Sequence, residues 1–271
     1  MDTHAQGQIT GSAAEVYEAY FLPALFAEWA PRVADAARIG PGECVLDVAC
    51  GTGVVAREAA RRAGGDGEVV GLDRNEWMFD VARRVAPEIA WVTGLAEAVP
   101  FADGSFDAVT CQFGLMFFDD RVAALREMWR VLAVAGWEAA ERSPGYAAMI
   151  ALLERLFGTR EANALRAPFV LGDAGALARL AAEAGIADAR IETVAGMARF
   201  PSIASWIYTD VKGWTLADMI DDEQLATLQR AAETALAQFR QPDGTVAFAA
   251  PAHILTATKS RDEPPAPGPE R

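Results

Sequence analysis

Short apolar segments alternate with amphipathic segments along the first half of the chain. The short segments are apolar on both faces, which is typical of strands buried inside a parallel sheet. These predicted strands cover residues 44–49, 68–73, 89–93 and 106–111. Between and after them, apolar residues recur with helical spacing over 54–62, 76–85 and 121–132. This alternation predicts an α/β fold with right-handed crossover connections.

The rest of the chain adds helices and two more strands. Residues 12–38 are predicted to be helical, with a broad apolar face that Pro23 and Pro31 interrupt. Further helices are expected near 144–165, 173–184, 202–213 and 222–239, and further strands near 187–199 and 245–258. The predicted organisation is an N-terminal helical cap (1–38), an α/β core (39–142), the remainder of the same domain with helical insertions (143–259) and a disordered tail (260–271).

Composition and charge restrict the class of ligand. The chain has 271 residues, of which 52% are hydrophobic and 23% are charged, as in a globular protein with a large core. Its formal net charge of -14 argues against nucleic-acid binding and against docking on an anionic membrane surface. We therefore expect a small-molecule ligand that is neutral, apolar or cationic.

The sequence also predicts a location. No apolar run reaches the roughly 18 residues needed to span a bilayer, and the polar start from Met1 to Thr10 lacks the pattern of a signal peptide. Cys44, Cys50 and Cys111 are irregularly spaced and do not form a disulfide framework. These observations predict a cytoplasmic protein without stable membrane insertion.

A glycine loop joins the first strand to the helix that follows it. Glycines at Gly51 and Gly53 allow a ligand to approach the backbone closely. Asp73 ends the second strand, 20 residues beyond Gly53, where a carboxylate can accept both hydroxyls of a ribose. The same glycines fit a loose dinucleotide fingerprint, and a tight turn without a ligand is a further alternative. Asp47, an acid inside the strand, argues against the dinucleotide interpretation.

Four segments together resemble the class I S-adenosylmethionine-dependent methyltransferases. They are VLDVACGTG (45–53), GLDRNEWMFDVARR (71–84), AEAVPFADGSFDAV (96–109) and ALREMWRVL (124–132). Within that family the chain is most similar to the group of ubiquinone and menaquinone C-methyltransferases, with the methyltransferase type 11 domain. The resemblance implies a Rossmann-like fold and S-adenosylmethionine as the cofactor. It also implies a seven-stranded, mostly parallel sheet of order 3-2-1-4-5-7-6 with an antiparallel last strand, and makes the predicted core the cofactor-binding region.

The resemblance also implies roles for individual residues. The loop residues that it places at the methionine portion of the cofactor are Ala49, Gly51, Thr52 and Gly53, with Asp47 ordering the loop. Asp73 would hold the ribose hydroxyls, and Arg74 and Met78 would flank the adenine. Ala96 and Glu97 would lie under the adenine rim, and Gln112 and Phe113 would face the sulfonium and the acceptor. Helix packing for Met78, a solvated charge for Arg74 and plain burial for Cys50 and Cys111 are the alternatives.

The chain departs from the family pattern at two places. Leu95 stands where family members carry an acid that accepts the adenine amino group. After Leu132, the residues Ala133 to Trp137 follow at once, so most of the usual loop before the fifth strand is missing. Either the helix over 121–132 ends early, or the fifth strand is short and starts late. The missing loop motivates an alternative function, a cofactor-binding protein with impaired or no catalysis.

Aromatic residues are the candidates for contact with the methyl acceptor, which we expect to be a small apolar or aromatic molecule. They are Tyr17, Tyr20, Phe117, Trp206 and Tyr208, with Trp29 and Phe118 as further possibilities and ordinary core packing as the alternative for each. The two histidines, His4 and His253, are expected to be structural, so no catalytic residue is assigned. The sequence has no Cys/His pattern of a metal site. A nicotinamide-dependent oxidoreductase is the remaining enzymatic alternative.

Overall fold

The central sheet contains seven of the nine strands in the computed structural model, which describes residues 11–129, 131–214 and 216–258. The strands are β1 (Cys44–Val48), β2 (Glu68–Asp73), β3 (Ala90–Thr93), β4 (Ala108–Gln112), β5 (Val131–Trp137), β6 (Arg190–Val194), β7 (Met197–Phe200), β8 (Val246–Ala249) and β9 (Ala252–Thr258). The sheet order is β3-β2-β1-β4-β5-β9-β6. The first five strands of that order are parallel, and β9 is antiparallel to both of its neighbours. Because β7 and β8 form a separate sheet, β9 is the seventh strand of the central sheet in chain order, and the predicted order 3-2-1-4-5-7-6 is confirmed.

Ten α-helices accompany these strands in the described ranges. They are α1 (Gly11–Val16), α2 (Ala30–Ala36), α3 (Val54–Ala63), α4 (Glu76–Val85), α5 (Arg121–Met128), α6 (Pro144–Phe157), α7 (Thr159–Arg166), α8 (Ala174–Glu183), α9 (Ile203–Lys212) and α10 (Asp222–Ala235). Apolar side chains of β1, β4 and β5 are buried because these central strands are covered by helices. The edge strand β3 has no fully buried side chain. The sequence-based prediction of a Rossmann-like α/β fold is thus confirmed.

The connection into β5 is short because α5 ends early. Asp120 caps its start by accepting a hydrogen bond from the Ala123 N–H at 2.9 Å, and the helix ends at Met128. Leu132 is fully buried and pairs with Val109 of β4, so the apolar residues after Trp129 join the sheet. The predicted helix over 121–132 was therefore too long, and the first of the two sequence-based alternatives applies. A two-residue connection then suffices.

The predicted N-terminal helix over 12–38 is interrupted. Its described part comprises α1, a π-helical segment (Tyr17–Phe26) and α2. Pro23 lies inside the π-helical segment, and a proline cannot continue an ordinary α-helix because it lacks the N–H donor. The wider turn carries the chain past it, with Ala27 N–H donating to the Leu22 carbonyl at 2.8 Å. His4 and the predicted tail (260–271) lie outside the described residues.

The two long strands predicted near 187–199 and 245–258 are each divided in two. β6 and β9 belong to the central sheet, whereas β7 and β8 form a separate two-stranded antiparallel sheet. The breaks lie side by side, since the Ala250 N–H donates to the Gly196 carbonyl at 2.8 Å. Gly196 has no room for a side chain, because an added Cβ would be 2.2 Å from Cζ2 of Trp29. Pro251 offers no N–H for pairing.

Candidate active site

A cleft opens at the carboxyl ends of β1, β2 and β4, where the strand order reverses. Ligands of open α/β sheets bind at such a switch point. The cleft encloses about 810 Å³, including the space open to solvent at its mouth. Its walls are Tyr17, Ala49, Gly51, Leu72, Asp73, Arg74, Asn75, Met78, Gly94, Leu95, Ala96, Glu97, Gln112, Phe113, Gly114, Phe117, Phe118, Gly213 and Trp214.

Two non-glycine residues of the cleft have a left-handed backbone. Ala49 has a φ of 53° and Phe113 a φ of 56°, a conformation that costs a side chain about 1–2 kcal/mol. The Ala49 methyl group fits because Gly114 lies opposite, where an added Cβ would be 2.5 Å from the Ala49 Cβ. Such strain persists only where packing enforces it, and it concentrates at ligand sites. It supports this edge of the sheet as the functional one.

The two glycines of the loop have different roles. Both have positive φ, 56° at Gly51 and 87° at Gly53. An added Cβ at Gly51 would meet Met78 Cε at 3.9 Å as its nearest neighbour, so this glycine leaves room in the cleft. An added Cβ at Gly53 would be 2.2 Å from Cη2 of Trp91. Gly53 is therefore required by the packing of Trp91, and the cleft is lined by Gly51 instead.

Asp47 lies behind the loop and does not line the cleft. It is 1% exposed, and its Oδ2 accepts a hydrogen bond from the Ala56 N–H at 3.0 Å. Its Oδ1 accepts from the Thr110 hydroxyl at 2.8 Å. Because Gly53 has no side chain with which to cap α3, Asp47 supplies that cap from β1. Burial raises the pKa of Asp47 to about 7, although both hydrogen bonds lower it.

Asp73 connects the end of β2 to the glycine loop. Its Oδ2 accepts a hydrogen bond from the Gly51 N–H and its Oδ1 accepts one from the Asn75 N–H, both at 2.8 Å. Burial raises the pKa of this carboxyl above its ordinary value, and the two backbone hydrogen bonds oppose that rise. A carboxylate has about four acceptor positions. Asp73 can therefore hold the loop and still accept hydroxyl donors from the cleft.

Arg74 and Glu97 contribute to one end of the cleft and are both held by the turn before α5. Arg74 lies 3.6 Å from the Asp119 carboxylate, and Glu97 Oε1 accepts from the Asp119 N–H at 2.9 Å. Met78, 8% exposed, and Ala96, 5% exposed, provide an apolar surface there. Leu95 also lines this end and is half exposed. The result is a flat apolar slot with charges at its rim.

Aromatic rings form the other wall. Phe113 stacks on Trp137 with ring centroids 3.8 Å apart and an interplanar angle of 7°. Trp214 contacts the rings of Tyr17 and Phe117 at centroid distances of 6.3 and 5.6 Å. Gln112 lies beside them, and its Nε2 donates to the Phe26 carbonyl at 3.3 Å. Its buried Oε1 has no partner within the described ranges.

Most of the predicted cofactor residues are brought together in this cleft. They are Ala49, Gly51, Asp73, Arg74, Met78, Ala96, Glu97, Gln112 and Phe113. Thr52 does not line it: this residue is 1% exposed, and its hydroxyl has no hydrogen-bond partner among the residues that the structure describes. Of the predicted acceptor residues, Tyr17, Phe117 and Phe118 line the cleft.

Three of the predicted acceptor residues lie outside the cleft. Trp206 is fully buried and packs on Phe248 with ring centroids 4.6 Å apart, in an aromatic cluster of the core. Tyr20 and Tyr208 contact each other edge to face at 6.0 Å on the surface, with 47% and 39% exposure. These three side chains do not line the cleft, because the faces of the π-helical segment and of α9 that carry them point elsewhere. Trp29 is likewise a core residue.

Trp214 is the functional candidate that sequence reasoning missed. It follows α9 directly, in the same aromatic stretch as the predicted Trp206 and Tyr208. Gly213 was the sequence signal that could have identified it, because glycine often ends a helix. The aromatic residue after such a glycine lies beyond the end of the helix and not on its buried face.

His253, Cys50 and Cys111 have buried positions outside the cleft. His253 on β9 is 3% exposed and pairs through Nε2 with the Gly172 carbonyl at 3.0 Å. Its Nδ1 pairs with the Thr193 hydroxyl at 2.9 Å. Cys50 and Cys111 are buried, and burial raises the pKa of both thiols. Over the described ranges, no group of three histidine, cysteine, aspartate or glutamate residues could hold a metal ion.

The chain is similar to known methyltransferases. Residues 45–136 match the family described as "Methyltransferase domain". Over 114 residues the chain is 44% identical to the ubiquinone/menaquinone biosynthesis C-methyltransferase of Stenotrophomonas maltophilia, covering 40% of this chain and 45% of that protein. Over 108 residues it is 46% identical to the demethylmenaquinone methyltransferase of Renibacterium salmoninarum, covering 40% and 44%. The matched segment spans less than half the length of these curated relatives.

The fold is similar to that of solved structures over most of the chain. The crystal structure of the YcgJ protein from Bacillus subtilis has a TM-score of 0.55 and 18% identity, covering 86% of this chain and 99% of that one. This likeness supports the architecture alone. Within the described part of the chain, no helix combines the length and apolar character that a membrane crossing requires.

Proposed function

We propose that this chain, which contains a methyltransferase domain of the class I S-adenosylmethionine-dependent family, transfers a methyl group from S-adenosylmethionine to a small apolar or aromatic molecule. The observation that carries the proposal is the convergence of Asp73, the open side of Gly51 and the unpartnered Gln112 Oε1 in one cleft. The identity with quinone methyltransferases over this same region supports it.

The residues present fit the cofactor. Asp73 would accept the ribose hydroxyls, since its carboxylate has acceptor capacity beyond its two backbone hydrogen bonds. Gln112 Oε1 would accept a hydrogen bond from the amino group, and the apolar slot at Met78 and Ala96 would take the adenine. The backbone of Ala49 and Gly51 would border the methionine portion. Leu95 supplies no acceptor for the adenine amino group, so that hydrogen bond, worth about 0.5–1.5 kcal/mol, is absent from the proposed complex.

Positioning is the contribution that this chain makes to the reaction. When bound, the cofactor supplies an electrophilic methyl group on a positively charged sulfur. The rings of Tyr17, Phe117 and Trp214 would exclude water and favour a cation through their faces. Correct alignment of two reactants alone can provide several kcal/mol, up to about 7–11 kcal/mol. A proton acceptor is needed only where the methyl acceptor loses a proton.

The structure gives no support to the alternative of a cofactor-binding protein without catalysis. It was based on the missing loop before β5, yet β5 has seven residues and pairs with both β4 and β9. A nicotinamide-dependent oxidoreductase is disfavoured because Asp47 lies inside β1 and because the matched family is that of methyltransferases.

We further propose a cytoplasmic location and a small-molecule partner rather than a nucleic acid, on the basis of the charge of -14 and the free cysteines.

Titration calorimetry with S-adenosylhomocysteine tests the proposal on the purified chain, with circular dichroism as the check of folding. We expect S-adenosylhomocysteine to bind with a dissociation constant in the micromolar range. In a parallel titration, NADH should not bind, so its fluorescence should not change when the chain is added. Tight NADH binding without S-adenosylhomocysteine binding by the folded chain would overturn the proposal. A screen of apolar and aromatic acceptors with methyl-labelled S-adenosylmethionine would then identify the acceptor.

A further inference from the structure

A second cavity lies next to the cleft and shares a wall with it. It encloses about 360 Å³, counting the space open to solvent at its mouth. Trp214 lines both spaces, and Trp137, which lines the second, stacks directly on Phe113 of the first. A ligand in this second cavity would therefore lie beside the cofactor cleft, next to the ring of Trp214.

The lining of the second cavity combines aromatic rings with one carboxyl group. The rings belong to Phe21, Trp137, Tyr146, Phe169 and Trp214, and the carboxyl group belongs to Asp210 on α9. Asp210 is 2% exposed, and neither of its carboxylate oxygens has a hydrogen-bond partner among the described residues. Buried carboxyl groups are nearly always hydrogen-bonded or paired, because their desolvation is costly. Among the described residues, Asp210 thus has polar neighbours but no well-aligned hydrogen bond.

No positive charge of the described residues compensates Asp210. Its neighbours are the Tyr146 hydroxyl of α6 and the Trp206 indole of its own helix, and neither forms a hydrogen bond of ordinary geometry with it. Burial raises the pKa of Asp210 to about 8, while these two neighbours lower it. Tyr146 is the titratable neighbour, and its own pKa lies well above its usual value, so it stays neutral. The site is an acidic group in an uncharged aromatic cage.

An ammonium group would supply both the positive charge and the hydrogen-bond donors that the Asp210 carboxylate needs in this aromatic cage. It supplies the missing counter-charge and up to three donors for the Asp210 oxygens, and aromatic faces attract cations. A hydroxyl group would satisfy one oxygen but would leave the carboxylate charge uncompensated. The net charge of -14 also favours the approach of a cation. The remaining walls, including Leu25 and Leu165, are apolar and suit a hydrocarbon or aryl body.

We propose that the second cavity binds a protonated amine carried on an apolar or aryl body, with Asp210 as its carboxylate partner and the surrounding rings as its cage. Because Trp214 lines both the cavity and the cofactor cleft, this amine would be the methyl acceptor of the proposed reaction. The ammonium group would first give one proton to the Asp210 carboxylate. The freed nitrogen lone pair would then form the N–CH3 bond as the S–CH3 bond breaks, and neutral S-adenosylhomocysteine would leave. That last assignment rests on the proposed function, whereas the amine site itself does not.

A matched pair of probes tests the site. 2-Phenylethylamine and 2-phenylethanol share one shape and differ in their polar group, and both can be titrated calorimetrically at pH 8. We expect the wild-type chain to bind the amine at least tenfold more tightly than the alcohol. In Asp210→Leu the amine should lose at least tenfold in affinity while the alcohol binds as before. Ser143→Ala, which alters another buried side chain without a partner in the described ranges, is the matched control and should change neither.

Equal binding of the two probes by the wild-type chain would overturn the proposal, as would an Asp210→Leu variant that keeps the amine preference. Folding of Asp210→Leu is verified by circular dichroism, and we expect it to fold because an apolar side chain removes an unpartnered polar group. Titration of the same samples with S-adenosylhomocysteine separates the two proposals. If it fails to bind while the amine preference depends on Asp210, the amine site stands and the methyl-transfer proposal falls.

Discussion

The carboxylate of Asp73 accepts a hydrogen bond from the backbone N–H of Gly51 at 2.8 Å, across 22 residues of sequence. The end of β2 therefore fixes the loop that follows β1. One side chain shapes the cleft and also offers acceptors to a ligand, so its loss should affect both folding and binding.

Replacement of Asp73 tests this double role. In Asp73→Ala two backbone N–H groups lose their acceptor, and we expect a loss of about 1–3 kcal/mol in unfolding free energy. Affinity for S-adenosylhomocysteine should fall roughly 10- to 100-fold, because hydrogen bonds to a charged group contribute about 1.5–3 kcal/mol. Urea denaturation and calorimetry measure the two effects. The exposed Asp66 provides the control Asp66→Ala; unchanged affinity in a folded Asp73→Ala would remove the ribose assignment.

The loop glycines can be compared by alanine substitution. Gly53→Ala should destabilise the fold by more than about 2 kcal/mol, because its Cβ would overlap Trp91 and its positive φ disfavours a side chain. Gly244→Ala is the matched control: its φ is 88°, close to that of Gly53, yet no atom lies within 4 Å of the added Cβ. Its loss should be about 1 kcal/mol, from the φ alone. Equal losses in thermal unfolding would mean that Trp91 does not constrain Gly53.

Trp214 should discriminate between the charged and uncharged forms of the cofactor. Its ring belongs to the aromatic wall of the cleft, and a ring face favours a cation by about 0.5–2 kcal/mol. In Trp214→Leu we therefore expect S-adenosylmethionine, a sulfonium, to lose roughly two- to thirty-fold in affinity, more than S-adenosylhomocysteine does. Trp77→Ala, at a residue that is 56% exposed, should leave both affinities unchanged. Equal losses for the two ligands would show that the ring contributes only packing.

Stability should fall as pH rises from about 4 to about 8. Asp47 and Asp210 have pKa values raised from 3.8 to about 7 and about 8 in the folded chain. As pH rises, both carboxyl groups ionise in the unfolded chain near pH 4, while they remain protonated in the folded chain. The stabilisation that is present below pH 4 is therefore lost as pH rises through the pKa values of the folded chain. Since one pKa unit corresponds to about 1.4 kcal/mol, the change in unfolding free energy is on the order of 5 kcal/mol for each of the two carboxyl groups.

Asp210→Leu isolates the upper part of this pH dependence. The variant should gain stability over the wild type at pH 8 and little at pH 4, as measured by urea denaturation across that range. Asp222→Ala, which alters a fully exposed acid whose pKa is lowered by Lys212, should keep the wild-type slope. A wild-type stability that rises between pH 5 and 8 would contradict the assigned shifts of Asp47 and Asp210.

The sequence was sufficient to predict those elements that are strongly periodic or bounded by turn residues. β2 begins at Glu68 and ends at Asp73 as predicted, and α4 covers the predicted 76–85. Several predicted cofactor residues could be placed at one edge of the sheet because they follow directly after parallel strands. Asp73 ends the predicted second strand, and the family resemblance implied the position of Gln112 after the fourth.

Other features depend on contacts that are distant in sequence. The helical spacing of 121–132 did not reveal that Leu132 pairs with Val109, so the end of α5 was misplaced. The roles of Gly53 and Gly51 differ only because Trp91, on another strand, packs against one of them. Likewise, an aromatic residue on α9 can be buried, like Trp206, or exposed, like Tyr208, and the sequence pattern of the helix did not distinguish these two cases.

The adjoining breaks at Gly196 and Ala250 mark residues 197–249 as one inserted segment. The chain leaves the central sheet after β6 and rejoins it at β9, and its two ends are already held together by the Ala250–Gly196 hydrogen bond. Residues 197–249 contain Asp210 and Trp214, whereas the glycine loop and Asp73 lie outside this segment. In the proposed function, one inserted segment therefore supplies the carboxylate of the amine site, and the α/β core supplies the carboxylate that would hold the ribose.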